Sequence, residues 1–270
     1  MSKFVKTPEE LKEIQEMMAA GRFTAQNLTV EFETDMDYIK ETIAPCFQAP
    51  DKPIGYINVS KYQSDFCGEF DCGIVYFPIK YPAKDGKVYD GTTMIALYVG
   101  NDMPVSIGRE MWGEGKKRAT SQILMDGHEI YGYVERNGVR IIQIDAFMGP
   151  DQGEQPEIVS DNFEFKAVPH AQGWGTQNDP VIVDMHYVDN YRVYREGTAE
   201  VKLTGTLVDP LDDIPIKRIG PVTYSEGASI WTIPFIDVLE GQGDAILPYM
   251  YGQKYDDFRY LEKPIRWRKK

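Results

Sequence analysis

The chain has 270 residues, of which 42% are apolar and 26% charged, a balance typical of a globular protein that can bury a sizeable core. Its formal net charge of −13 argues against nucleic acid as a partner, because phosphate binding requires a basic face. No apolar run reaches membrane-spanning length and no secretory pattern opens the sequence, so we expect no membrane partner and a cytoplasmic location.

Helical signals are concentrated near the N-terminus. Thr7-Pro8-Glu9-Glu10 has the form of a capping box with proline at the first helical position, and Gly21 supplies a stop. The apolar stripe between them consists of Leu11, Ile14, Met17 and Met18. The sequence therefore predicts a helix within residues 1–21. A second short helix is predicted at 35–44, with Thr34 as its cap and Pro45 at its end.

Strand signals dominate the remainder of the chain. Residues 130–135 and 139–147 flank Asn137-Gly138, a pair that suits a two-residue hairpin turn. Further predicted strands, rich in β-branched and aromatic residues, are 93–99, 163–168, 181–187 and 200–207. The pattern predicts an α+β, β-rich fold: a single domain over 1–270 with a closed or strongly curled antiparallel barrel-like sheet.

The two ends of the chain are predicted to lie outside that sheet. Residues 1–21 form the N-terminal helix, and 251–270 form a C-terminal tail. The basic stretch 263–270 is expected to be solvated or to contact another subunit.

Several kinds of site are not supported by the sequence. His128, His170 and His186 are scattered, and Cys67 and Cys72 lie five residues apart, so no zinc or other metal site is expected. Together with Cys46 the cysteines form an odd set, which favours a reducing compartment. The acidic residues at 209–213 lie between two prolines and are explained most simply by turn chemistry.

The adjacent lysines Lys116 and Lys117 are the candidate reactive groups. An ordinary lysine has a pKa of about 10.4, so very little of its amine is neutral at pH 7. Burial can lower that pKa by about 3–5 units. A second cation about 5 Å away lowers it by roughly 2 units more at an effective dielectric constant near 20. A solvated surface turn is the common alternative for such a pair.

The lysines occur in residues 108–117, Gly-Arg-Glu-Met-Trp-Gly-Glu-Gly-Lys-Lys. This stretch resembles the active-site segment of the acetoacetate decarboxylase family, which typically reads Gly-Arg-Glu, a short spacer and Pro-Lys-Lys. Residues 32–37 resemble the family's early helix entry, 131–149 its central hairpin and 209–217 its late Pro-Leu segment. The resemblance extends over roughly 23–233.

That resemblance implies a β-barrel-like fold, frequent homo-oligomers and cofactor-independent lyase chemistry. Lys116 would form a Schiff base with a small keto acid, with Lys117 and Glu110 as supporting residues. Decarboxylation of a β-keto acid is the family default. A Schiff-base aldolase or dehydratase acting on a pyruvate-like keto acid is one alternative, and a non-catalytic metabolite-binding member of the family is another.

The sequence departs from the family pattern around the expected pocket. Ala25 stands where decarboxylases carry an arginine and Cys72 where they carry a glutamate, while a second family glutamate falls near Ile57 or Asn58. In a regular strand, Phe70 and Cys72 would share one face.

Glu69 and Asp71 would then lie on the other face of that strand, and a one-residue slip or bulge would bring Glu69 or Asp71 inward instead. Trp112 and Glu114 are further pocket candidates, as a stacking wall and a proton relay. Ordinary core packing and a solvated loop carboxylate are the alternatives for these two residues.

Overall fold

Twelve strands form one continuous sheet in the computed structural model, which describes residues 2–257. The strands are β1 Gly21–Glu33, β2 Ile54–Ser64, β3 Gly68–Pro82, β4 Val88–Val99, β5 Lys116–Arg118, β6 Thr120–Asp126, β7 Glu129–Arg136, β8 Val139–Met148, β9 Ile158–Lys166, β10 Val181–Leu203, β11 Arg218–Thr232 and β12 Ile236–Val238. The α-helices are α1 Pro8–Ala19, α2 Met36–Thr42, α3 Asp102–Ile107 and α4 Gly243–Lys254. A π-helical turn, Gly108–Trp112, follows α3, and a 3-10 turn spans Leu211–Asp213.

Seven of these strands close into a barrel in the order β1-β2-β3-β4-β9-β10-β11, because β11 pairs with both β1 and β10. The pairings within the barrel are antiparallel except between β4 and β9, which meet in parallel through one residue pair, Thr92 and Asn162. β10 is 23 residues long, and its far half continues the sheet into β8, β7 and β6. The predicted β-rich α+β fold with a closed barrel-like sheet is confirmed.

The main apolar core lies between the outside of the barrel and the β6–β8 layer. Leu28 of β1 and Val134 of β7 are fully buried there. A side chain at Gly132 would collide with Leu28, and one at Gly73 would collide with Val134, so the two layers are in direct contact. One face of β1 therefore supports the core, and its alternate residues point into the barrel.

Local sequence signals account for the helix and hairpin boundaries. The Thr7 hydroxyl accepts from the Glu10 backbone N–H at 3.2 Å, and the Glu10 carboxylate accepts from the Thr7 N–H at 2.8 Å, so the predicted capping box is present. The turn between β7 and β8 places Asn137 and Gly138 at φ 53° and 79°, as a two-residue hairpin of this sequence requires. The strands predicted at 181–187 and 200–207 belong to a single strand, β10.

The first residues of the predicted C-terminal tail belong to a helix of the fold. α4 continues to Lys254, four residues into the stretch predicted as a tail, and Lys254 is buried. The predicted basic stretch 263–270 lies outside the described residues. The assignment of the whole chain to one domain stays a prediction. Within residues 2–257, no helix is long and apolar enough to span a bilayer.

One acidic side chain is enclosed on β10 without a basic partner in hydrogen-bonding contact. Asp184 is 3% exposed, and its Oδ1 has no hydrogen-bond partner among the described residues. Burial raises the pKa of Asp184 to about 7, and the nearby Asp161 adds to this effect, whereas His186 opposes it. His186 is itself paired with Asp161, its Nδ1 lying 2.6 Å from the carboxylate.

We expect Asp184→Asn to stabilise the protein in a pH-dependent way. The pKa of Asp184 is above its unfolded value of about 3.9, so the folded state holds this proton more tightly and stability falls as pH rises from about 4 to 7. The amide removes this loss of stability. The gain in the free energy of unfolding is at most about 4 kcal/mol at pH 8, and less than half of that at pH 5.

Urea unfolding at both pH values measures this gain. Asp90→Asn, at an exposed position, is the matched control and should change stability by less than about 0.5 kcal/mol at either pH. A gain for Asp184→Asn that is equal at pH 5 and pH 8 would contradict the account.

Candidate active site

Lys116 begins the short strand β5, which pairs in parallel with β4, Leu97 opposite Lys116 and Tyr98 opposite Lys117. The preceding π-helical turn ends at Gly113, whose φ of 79° is a left-handed conformation that favours glycine. Gly108 is required for a different reason. A Cβ at Gly108 would lie 2.5 Å from Glu114 Oε2 and 2.8 Å from Lys116 Nζ, so only glycine leaves room for this pair.

The Lys116 amine lies 2.6 Å from the Glu114 carboxylate, and the two residues are 6% and 5% exposed. The same nitrogen is 5.7 Å from the Trp112 ring and 6.0 Å from the Phe70 ring, within the range of a cation–π interaction. A buried amine at hydrogen-bond distance from one carboxylate has a partner with which to exchange a proton. This arrangement places a proton acceptor directly beside the amine.

The amine opens into a cavity of about 240 Å³ inside the barrel. All seven barrel strands contribute to its lining, because alternate residues of each strand point inward. Trp112, Trp231 and Phe66 form an aromatic wall, with ring centroids 4.4–5.6 Å apart in edge-to-face arrangements. The barrel interior is thus a ligand-sized chamber with an aromatic wall and one amine.

The structure brings most of the predicted pocket residues to this cavity. Phe70, Cys72, Trp112 and Glu114 all line it. The first two lie on β3, which runs as a regular strand through this region, without the slip or bulge considered from sequence.

Two predicted residues lie elsewhere. Glu69 faces away, exposed and paired with Lys61 at 2.9 Å, so it is not a pocket residue. Glu110, predicted as a supporting residue, is exposed on the π-helical turn and does not line the cavity, because the turn directs its side chain to solvent.

The two cavity thiols are not poised to act as nucleophiles. Burial raises the pKa of Cys72 to about 12, and the nearby Lys116 only partly offsets it. Burial likewise raises the pKa of Cys67 to about 11. A thiol with so high a pKa is protonated near neutrality and reacts slowly. The amine of Lys116 is therefore the reactive group that this cavity offers.

Lys117 points to the opposite side of β5, away from the cavity. Its Nζ lies 3.3 Å from Asp209 and 3.4 Å from Asp256, and it donates to the Val208 carbonyl at 3.0 Å. Arg136 joins the same carboxylates at 2.5 and 2.9 Å. Lys117 thus belongs to a buried ion-pair network, and strand alternation keeps its charge off the cavity face of Lys116.

Sequence analysis missed a third buried lysine. Lys254 of α4 donates to the carbonyls of Gly113 and Phe165, and its Nζ lies 3.9 Å from the Phe165 ring. Arg109 donates to the Lys254 carbonyl at 2.7 Å and to the Lys116 carbonyl at 3.3 Å. These contacts anchor the turn that carries Lys116 to the C-terminal helix. No local pattern around residue 254 signals this role.

The charge partner of Lys254 is Glu164 of β9. Glu164 is 1% exposed and accepts from the Met94 backbone N–H at 2.8 Å and from the Asn162 amide at 3.2 Å. Burial raises the pKa of Glu164, and Lys254 opposes this effect. Burial lowers the pKa of Lys254, which Glu164 opposes in turn. Each group depends on the other to stay charged.

We expect Lys254→Met to destabilise the fold by about 3–5 kcal/mol, because it leaves a buried carboxylate uncompensated and two carbonyls without a donor. Adding Glu164→Gln should restore more than half of the loss, since the second change removes the unpaired charge. Urea unfolding of both variants measures the effect. Lys84→Met, which removes only the exposed pair with Glu240, is the control and should cost less than about 1 kcal/mol. Equal losses in the single and double variants would exclude the charge argument.

Comparison with known proteins identifies the fold. Residues 6–239 match the family model described as acetoacetate decarboxylase (ADC). The chain belongs to the acetoacetate decarboxylase family. The match covers the barrel, β5 with its two lysines and the β6–β8 layer, so the resemblance noted in residues 108–117 extends through most of the chain.

Individual relatives agree with this assignment. The chain is 25% identical over 198 residues to an acetoacetate decarboxylase of Burkholderia cenocepacia, covering 71% of this chain and 77% of that protein. A crystal structure of acetoacetate decarboxylase from Legionella pneumophila superimposes with a TM-score of 0.69 at 17% identity, covering 81% and 86%. The enduracididine biosynthesis enzyme MppR, complexed with the condensation product of pyruvate and imidazole 4-carboxaldehyde, gives 0.67 at 10% identity, covering 82% and 89%.

The expected departures from the family lie in the cavity wall. Ala25, Asn58 and Cys72 all line the cavity. The resemblance places an arginine at the first of these positions, a glutamate at the third and a second glutamate near Ile57 or Asn58. The positions at which the sequence is expected to depart from the family's charged residues therefore face the cavity.

Proposed function

We propose that this chain is a cofactor-independent lyase that forms a Schiff base between Lys116 and a small carbonyl compound. The observation that carries the proposal is the placement of the Lys116 amine, buried at the wall of the barrel cavity and 2.6 Å from the Glu114 carboxylate. Family membership supports it, since the relatives with this fold include proteins named acetoacetate decarboxylase.

The chemistry follows from these two side chains. The Lys116 ammonium first passes a proton to Glu114, and the neutral amine then attacks the carbonyl carbon. Glu114 gives that proton to the carbonyl oxygen, takes a second proton from nitrogen and returns it to the carbinolamine hydroxyl, so that water departs and a cationic imine remains. The cation is stabilised by the Glu114 carboxylate and by the faces of Trp112 and Phe70. It then accepts the electron pair of a bond that breaks one carbon away, and hydrolysis by water regenerates the amine.

Two reactions share this intermediate. Loss of carbon dioxide from a β-keto acid is the family default. Proton loss instead gives an enamine, which leads to aldol addition, its reverse, or loss of water from a hydroxyl. The second candidate is favoured by one observation: Lys116 is the sole basic side chain among the described residues that line the cavity, so a substrate carboxylate has no separate cation. The MppR complex with a condensation product is an example of condensation chemistry on this fold.

The first test is reductive trapping. The protein is incubated with pyruvate, acetoacetate, methyl acetoacetate or benzaldehyde and then reduced with borohydride, which converts the imine into a stable amine. We expect one adduct per chain, mapped by peptide mass spectrometry to Lys116, with at least tenfold more label than any other lysine. The reason is that Lys116 is the lysine that lines the cavity among the described residues, beside a carboxylate that can carry the proton.

Two variants sharpen the result. Lys116→Arg should abolish the adduct. Lys117→Met should retain it while lowering the free energy of unfolding by about 2 kcal/mol, because Asp209 and Asp256 lose a buried partner. An adduct without any product would indicate a metabolite-binding member of the family, and absence of an adduct with every compound would refute the proposal.

A second test concerns Glu114. We expect Glu114→Gln to slow imine formation by about 10²-fold or more, because the amide cannot take up and return the proton. Stopped-flow measurement of adduct formation gives the rate. Glu110→Gln, an identical change on the same turn but at an exposed position, is the matched control and should leave the rate within about twofold. Equal effects of the two changes would remove Glu114 from the mechanism.

A further inference from the structure

The charges that face the barrel cavity are unevenly distributed. Its lining contains one amine, that of Lys116, and two carboxylic acids, Glu114 and Asp189. Lys116 and Glu114 are already paired at 2.6 Å, which leaves Asp189 as the other carboxylic acid of the lining. Two other cations, Lys61 and Arg192, do not line the cavity but an adjoining surface depression that shares Ala25 and Tyr62 with it, and Lys61 is paired with Glu69.

From this distribution we propose that the Lys116 cavity selects uncharged ketones or aldehydes with an aromatic or extended apolar body, and discriminates against keto acids. The inference rests on the proposed Schiff-base function and specifies its substrate class. It places the reaction with the aldol or dehydration branch, because a substrate without a carboxylate has no carbon dioxide to lose.

A substrate carboxylate would be poorly accommodated at every stage. Transfer of a carboxylate from water into an apolar chamber is unfavourable unless a cation or several hydrogen-bond donors receive it. Once the imine forms, its positive charge lies beside Glu114. This cation is therefore already paired and does not compensate a carboxylate on the substrate. Elsewhere on the wall a carboxylate would meet Asp189, whose ionised form repels it.

The polar side chains of the wall are mostly engaged with one another. The Asn58 amide donates to Thr29 Oγ1 at 2.8 Å, and the Tyr62 hydroxyl lies 3.4 Å from Asn27 Oδ1. The Tyr191 hydroxyl donates to Asp189 at 3.2 Å. This network satisfies these neutral groups locally, and among the described residues the lining adds no second basic side chain to receive an incoming anion.

The rest of the wall suits a flat, apolar body. Phe23, Phe66, Phe70, Trp112, Tyr187 and Trp231 all line the chamber. Burial raises the pKa of Tyr187, and Glu114 adds to this effect, so this phenol presents a neutral surface. Aromatic side chains favour stacked or edge-to-face contacts with a ligand ring.

The test compares matched compounds that differ in charge. One pair is acetoacetate and methyl acetoacetate, and the other is 2-oxo-4-phenylbutanoate and 4-phenylbutan-2-one. For each compound the initial rate of borohydride-trapped adduct at Lys116 is divided by its rate with free Nα-acetyl-lysine, which corrects for intrinsic electrophilicity. We expect the normalised rate to be at least tenfold higher for the uncharged member of both pairs. A ratio below tenfold in either pair overturns the assignment of substrate class.

Asp189→Asn provides an independent measure, because it removes an acid from the wall without changing its shape. The preference for the uncharged member should fall by at least threefold in this variant and stay unchanged in Asp90→Asn, the exposed control. An unchanged preference in Asp189→Asn overturns the charge argument. Absence of an adduct with all four compounds would instead refute the Schiff-base proposal, so the two failures are distinguishable.

Discussion

An ion pair enclosed by a β-barrel, between Lys116 and Glu114, is the interaction on which the rest of the site depends. Two charges removed from water need close mutual contact, and the chain provides it through a left-handed glycine at 113 and a missing side chain at Gly108. The rings of Trp112 and Phe70 lie near the amine, and the two residues of the pair are buried. The two glycines and the Glu114 carboxylate thus give the amine access to the cavity and also hold it in one position.

Because side chains alternate along a strand, the two adjacent lysines point to opposite sides of β5 and have different roles. Lys116 faces the cavity, while Lys117 enters a network with Asp209, Asp256 and Arg136 that ties β5 to β7 and to the segments after β10 and α4. Strand β5 therefore carries both the cavity amine and the lysine whose ion pairs hold the strand in place. The second cation does not face the first from the cavity side, which leaves burial and Glu114 as the direct influences on the amine of Lys116.

The features that sequence predicted were those encoded within a few residues. The capping box at Thr7, the Asn137-Gly138 turn and the alternation of Phe70 and Cys72 are local, and each is present. The missed features depend on contacts between distant segments. Lys254 shows no distinguishing pattern in its helix. Nothing local distinguishes the inward face of β1, with Ala25, Asn27 and Thr29, from an ordinary solvent-facing side of a strand.

The join between β4 and β9 contains fewer backbone pairs than the other joins of the barrel. Only Thr92 and Asn162 pair across it, and side chains complete the closure: Thr92 Oγ1 donates to Asn162 Oδ1 at 3.0 Å, and Glu164 accepts from the Met94 N–H in place of a strand carbonyl. A barrel wall fastened by side chains separates at a smaller cost in backbone hydrogen bonds than a continuous ladder. The join is thus held mainly by side chains, with Glu164 and Asn162 supplying the contacts that backbone pairs supply elsewhere in the barrel.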